Sequence, residues 1–223
     1  MVMGALIRML TDPRLPRLQQ WLSPSYPIGA FAYSHGLETA IETGAIISSD
    51  DLRMWLTDLL TNGAGYSDPI LLVAAYSSEN AEALQDIDQQ ARAFAPSKER
   101  LAEAALQGAA FCQTTAAISG YDFPDLTYPV GLGYAARLHG LPLDVTVHMF
   151  LHSFVSNLVA AAQRLMPVGQ VEGQRILTDL APLLAQMAQD ALTSDLTDLS
   201  GSCFLADIAS MQHETQYSRM FRS

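Results

Sequence analysis

The sequence predicts an all-α fold, a single-domain bundle of about nine or ten helices, and three observations carry that expectation. Apolar residues recur at helical spacing from Leu15 onward, capping residues, prolines and glycines cut the chain into helix-length pieces, and no alternating pattern competes for a strand. With 223 residues and 49% hydrophobic content, the chain can bury one substantial core.

Asp12-Pro13 supplies an N-cap and a proline at the first helical position, and Leu15, Leu18 and Leu22 then mark a first helix ending near Trp21. Ser23-Pro24 and Tyr26-Pro27 break it, because each proline removes a donor and pushes its predecessor out of the helical region. A second helix is expected from about Phe31 to Gly44. Ser49-Asp50-Asp51 opens a third, with Leu52, Trp55, Leu56, Leu59 and Leu60 on one face and Gly63 at its end. Ser67-Asp68-Pro69 opens the fourth in the same way. Leu84, Ile87, Ala91 and Phe94 stripe a fifth that stops before Pro96, and Ser97 caps a sixth running through Leu101, Leu106 and Phe111. The Gly120 to Gly131 stretch reads as the longest loop, followed by a short helix over Leu132 to Leu138. A long helix from about Asp144 to Leu165, the Pro167-Val168-Gly169-Gln170 turn, and a helix from Val171 to Leu192 with a kink at Pro182 come next. A helix through Leu205 to Ser210 leads into a tail, expected to be flexible from about residue 213.

A formal charge of −11 argues against nucleic acid and against an anionic membrane surface, since only 12 Lys and Arg could neutralise phosphate. Cys112 and Cys203 make neither a metal cluster nor a disulfide framework, and no charged-then-apolar leader opens the chain, which predicts a cytoplasmic protein. Val145 to Gln163 is uncharged and long, yet its histidines, serines, Asn157 and Gln163 suit a core or dimer-interface helix better than a membrane span.

The tail is rich in specific side chains. If its last turn is helical, Tyr217, Met220 and Phe221 share a stripe at i, i+3 and i+4, which serves either to dock a partner or to cap the chain's own core. His148 and His152 stand at i, i+4, a spacing that suits two metal ligands or two satisfied core or interface histidines, with no evident third ligand. His35, Glu38 and Glu42 fall along one side of the expected second helix, as a solvated face or as donors for a divalent ion such as nickel. No glycine loop for nucleotides, serine elbow or Cys/His frame is present.

Three segments carry a family resemblance. Pro27-Ile28-Gly29-Ala30-Phe31-Ala32-Tyr33-Ser34-His35-Gly36-Leu37-Glu38, Pro167-Val168-Gly169-Gln170, and His213-Glu214-Thr215-Gln216-Tyr217-Ser218-Arg219 with Phe221-Arg222-Ser223 resemble, in that order, motifs of the urease accessory protein UreF family. The resemblance implies a non-enzymatic nickel-insertion factor with the same helical fold. It implies a homodimer linking the accessory protein UreD (UreH in some organisms), which contacts apo-urease, to the GTPase UreG. No permanently bound cofactor is expected, with nickel as transient cargo along His35, Glu38 and Glu42. By the same resemblance, partner contacts fall to Pro27, Gly29, Tyr33, Ser34, Gly36, His213, Glu214, Gln216, Tyr217, Ser218, Arg219 and Phe221. Two alternatives stand beside this reading: a GTPase-activating factor using Arg219 or Arg222, and a helical metalloenzyme around His148 and His152.

Overall fold

Proline and capping chemistry set the helix boundaries of the computed structural model, which describes residues 12–223. Its ten α-helices are α1 Leu15–Trp21, α2 Leu37–Glu42, α3 Ser49–Asn62, α4 Ala64–Ser77, α5 Ala81–Ala93, α6 Lys98–Ser119, α7 Tyr128–Leu138, α8 Leu143–Leu165, α9 Gln170–Thr193 and α10 Phe204–His213, with no strand among the described residues. The all-α expectation holds. At the start of α3, Ser48 accepts the Asp51 backbone N–H at 3.2 Å while the Asp51 carboxylate accepts the Ser48 N–H at 2.9 Å. Asn80 and Ser97 cap α5 and α6 more simply, each side chain accepting the backbone N–H three residues on without a return bond.

Four expectations need correction. The second helix is broken into a 3-10 turn at Ala30–Ala32 and the short α2, because His35 (φ 55°) and Gly36 (φ 77°) adopt left-handed conformations that a helix cannot continue. Helix α4 starts at Ala64 rather than near Ser67, so Pro69 lies in its second turn. Helix α7 starts at Tyr128, with Pro129 tolerated in its first turn where no intrahelical donor is needed. Finally, the buried face of α6 is Glu103, Gln107, Phe111 and Thr115, while Leu101 and Leu106 face solvent. Helix α9 runs unbroken through Pro182 from Gln170 to Thr193.

Helix α4 is central and packs on α3, α7, α8 and α9, with α7 its most extensive neighbour. Leu18, Trp21, Phe111, Leu132, Val155 and Leu184 are among the fully buried side chains that join these layers. Helix α8 is long and apolar enough to cross a membrane by length and composition, but half of its most apolar stretch is buried in the bundle. Helix α2 crosses α10 at Gly36, where a Cβ would stand 2.8 Å from the Ser210 backbone nitrogen. That crossing brings the N-terminal motif and the tail together.

Candidate functional site

Beyond His213 the chain does not remain helical, and the anticipated stripe of Tyr217, Met220 and Phe221 does not form. The reason lies in its hydrogen bonds. Glu38 at the first turn of α2 accepts the Met220 N–H through Oε1 at 2.7 Å and the Phe221 N–H through Oε2 at 2.8 Å, diverting donors that a helix would use internally. The Arg222 N–H donates to the Ala32 carbonyl, and the Ser34 N–H to the Ser223 carbonyl, both at 2.8 Å. Phe221 and Ser223 are buried, and Arg164 lies 4.4 Å over the Phe221 ring. Tyr217 is fully exposed. Of the two roles open to the tail, Phe221 takes the core-capping one, and Tyr217 takes no part in it.

His213 is fully buried between two carboxylates, with Nδ1 at 2.7 Å from Glu99 and Nε2 at 3.2 Å from Glu38. Arg219 reaches Glu99 at 2.7 Å, and Gln216 accepts from Thr39 Oγ1 at 2.7 Å. Glu214 accepts the Lys98 N–H at 2.9 Å. The tail is thus fastened to α2 and to the first turns of α6 by charge-assisted bonds.

A second polar cluster lies beside it. His35 Nε2 contacts Glu103 at 2.9 Å, Arg100 contacts both His35 and Glu103, and Gln107 and Ser223 donate to Glu103 at 2.9 Å. Burial alone would raise the Glu103 carboxyl, but the Arg100 and His35 charges and hydrogen bonds overcome it and hold Glu103 down at about 2. Burial, then the Arg100 charge, push His35 below its ordinary 6.5. Two adjoining cavities meet at His35, Asp68 and Arg100, one of them about 330 Å³ and opening between α4, the Pro96 turn and α10.

The sequence reading treats His35, Glu38 and Glu42 as one helix side. In the structure His35 precedes α2, His35 and Glu38 are buried in separate clusters, and only Glu42 is exposed. No group of three or more His, Cys, Asp or Glu side chains among the described residues is spaced to hold a metal ion. Ser34, Gly36, His213 and Phe221 are buried and build the clamp itself, Tyr33 is buried beside the His35 cavity, and Pro27, Tyr217, Ser218 and Arg219 are exposed with Gly29, Glu214 and Gln216 partly so. Glu99, Arg100, Glu103 and Asp68 complete the site, and no sequence motif marks them as site residues. The one sequence signal for them is the i, i+4 spacing of Glu99 and Glu103, which any solvated helix face also shows.

Asp68 has the least favourable setting. Burial raises its carboxyl from 3.8 to about 6, with Arg100 only partly opposing, and no hydrogen bond contributes. A carboxyl with a raised folded-state value binds more protons folded than unfolded, so its contribution to stability declines as pH rises through 6. Asp68→Asn should therefore stabilise the protein by on the order of 1–2 kcal/mol at pH 7.5 and by little near pH 4. Glu103 works in the opposite direction: its contribution is present above its ordinary 4.5 and is lost as pH falls toward 2. Urea titrations of both proteins across this range check the two signs, and an Asp68→Asn variant no more stable than the parent at pH 7.5 would contradict the first.

Helix α10 offers a different surface. Phe204, Leu205, Ile208 and Met211 are 71%, 69%, 48% and 50% exposed, forming a contiguous apolar stripe on the outer side of the helix that leads into the tail.

Comparison with known proteins supplies context for this arrangement. The sequence model of the UreF family matches residues 46–181, which run from the turn before α3 through the first half of α9. The urease accessory protein UreF of Ruegeria sp. (strain TM1040) is 56% identical over 214 residues, covering 96% of this chain and 100% of the relative. That of Ruegeria pomeroyi is 48% identical over 213 residues, covering 96% and 98%, and that of Bradyrhizobium diazoefficiens is 44% identical over 221 residues, covering 94% and 91%.

Proposed function

The chain belongs to the UreF family, and from that premise we propose that it is a non-catalytic accessory factor in urease maturation, acting in the cytoplasm as a scaffold. It would link the UreD/UreH accessory protein to the GTPase UreG and regulate nickel insertion into apo-urease, with nickel as transient cargo and the working form a homodimer. The observation that carries this reading is the exposed apolar stripe of α10 beside a firmly clamped tail. A stripe of this kind on a folded helix is a protein-binding feature, because leaving four large apolar side chains in water forgoes about 1.5–3 kcal/mol each. The negative charge of the chain would favour basic surfaces on its partners.

Co-purification with the UreD-type protein tests the scaffold. Ile208→Asp should reduce capture at least about thirtyfold, the loss of about two or more kcal/mol typical of a central apolar contact, while circular dichroism and melting stay unchanged. Normal capture by this variant would remove the α10 face from the interface.

A GTPase-activating reading rests on a narrower observation. Arg219 is paired with Glu99, whereas the Arg222 side chain is exposed on a backbone fixed by Ala32. Single-turnover GTP hydrolysis at saturating partner concentrations separates the readings. A docking role predicts that Arg222→Ala changes the hydrolysis rate per assembled complex by less than about tenfold, and a catalytic arginine predicts a thousandfold or greater loss.

A further inference from the structure

Five histidines occur in the chain, and three are engaged by protein groups. His35 meets Glu103 and Arg100, His139 meets Arg17 at 2.6 Å, and His213 lies between Glu38 and Glu99. His148 and His152 are set apart from these. Both are exposed on α8, and neither ring has a hydrogen-bond partner among the described residues. Exposure on α8 removes the core reading of this pair among the described residues and leaves the interface and metal-ligand readings.

The helix beneath them is rigid for a packing reason: Val147, Leu151, Val155 and Leu158 bury the adjoining face and Thr146 and Phe150 the opposite one. On such a helix, i and i+4 side chains stand with Cβ atoms about 5–6 Å apart. Two imidazoles at that separation can turn one nitrogen each toward a shared point about 2.0–2.1 Å from both. The pair borders an open groove of about 670 Å³ that is also lined by Ser153, Ser156 and Asn157. Oxygen donors and water can complete a coordination shell there.

We propose that His148 and His152 form a two-histidine chelate for a late first-row divalent cation, the class that includes nickel, copper and zinc. Neutral imidazole nitrogen selects these ions over magnesium and calcium, which take oxygen donors. With only two protein nitrogens, the remaining positions belong to water or to the groove's oxygens, so the site exchanges its ion readily rather than holding it as a structural centre. The net charge of −11 adds an attractive field for a cation. This inference does not depend on the proposed function.

The experiment is a calorimetric titration of the untagged full chain with nickel chloride, repeated for His148→Gln, His152→Gln and the double variant. Saturable binding of one ion per chain is expected, with each single substitution weakening it about tenfold or more and the double variant abolishing it. Because both rings are exposed, circular dichroism should be unchanged in all three variants. Binding should also weaken on acidification, since protons compete for the ligand nitrogens. Absence of saturable binding below about 1 mM nickel, single variants within about twofold of the parent, or equal binding of magnesium would each overturn the proposal.

Discussion

Glu38→Ala is expected to release the C-terminal segment and with it the ability to support urease maturation. The carboxylate accepts the backbone N–H groups of Met220 and Phe221 and faces His213 Nε2, so one substitution leaves three donors without their acceptor. Truncating one member of a buried, charge-assisted network costs about 3–5 kcal/mol, against about 0.5 kcal/mol for the exposed polar residue that the sequence pattern suggests. Much of that cost can be relieved by undocking residues 214–223, whose one large side chain in the core is Phe221. Tryptic cleavage after Arg219 and Arg222 should therefore accelerate by two to three orders of magnitude, at about 1.4 kcal/mol per factor of ten. Glu38→Gln should behave nearly as badly, because an amide offers one acceptor oxygen and turns its own N–H toward a second donor. Cleavage at the parent rate in both variants would show that the tail is held by something other than Glu38.

The contrast between Glu38 and His148 shows what the sequence could disclose. Helix positions were readable because capping and proline chemistry are local: Ser48 with Asp51 and Ser97 with the Arg100 N–H act within four residues. The His148 and His152 pair was readable for the same reason, since i, i+4 spacing on one helix is local geometry. Glu38 is local to nothing that matters to it. Its partners lie 175 or more positions away, and the left-handed turn at His35 and Gly36 that aims it carries only one glycine as a signal. The polar buried face of α6 was misread for a related reason. Glu103 and Gln107 look like solvent residues until His35, Arg100 and Ser223 are brought against them, while Leu101 and Leu106 look like core. The tail could be flagged as purposeful from its composition, but a helical stripe was the wrong geometry, because the acceptor that unwinds it sits near the other end of the chain.

Gly108→Ala is expected to destabilise the domain by about 3 kcal/mol or more, at or beyond the upper end usual for overpacking. In an exposed helix the same change would be favourable, since alanine is the better helix former by about 1 kcal/mol. Here a Cβ would stand 1.9 Å from the Leu126 carbonyl oxygen, 2.6 Å from the Thr127 carbonyl carbon and 2.7 Å from the Tyr128 nitrogen. All three are backbone atoms, so no rotamer change makes room. The obstructing segment is itself pinned: Asp88 accepts both the Thr127 N–H at 2.6 Å and the Thr127 hydroxyl at 2.8 Å, and Leu126 is buried. Helix α6 must then move outward, and it carries Glu99, Arg100 and Glu103, the residues that hold His213, Arg219, His35 and Ser223. Loss of stability in urea should accordingly come with faster proteolysis of the tail, although residue 108 touches no part of it. Gly169→Ala is the matched control, because nothing lies within 4 Å of its Cβ position and its φ of −70° suits any residue. That change should shift stability by less than about 1 kcal/mol in either direction, because the lost freedom of the unfolded chain is offset by alanine's weaker capping at the N-cap of α9. A Gly108→Ala protein within about 1 kcal/mol of the parent would mean that α6 does not press against the 126–128 backbone, and the coupling from this crossing to the tail clamp would go with it.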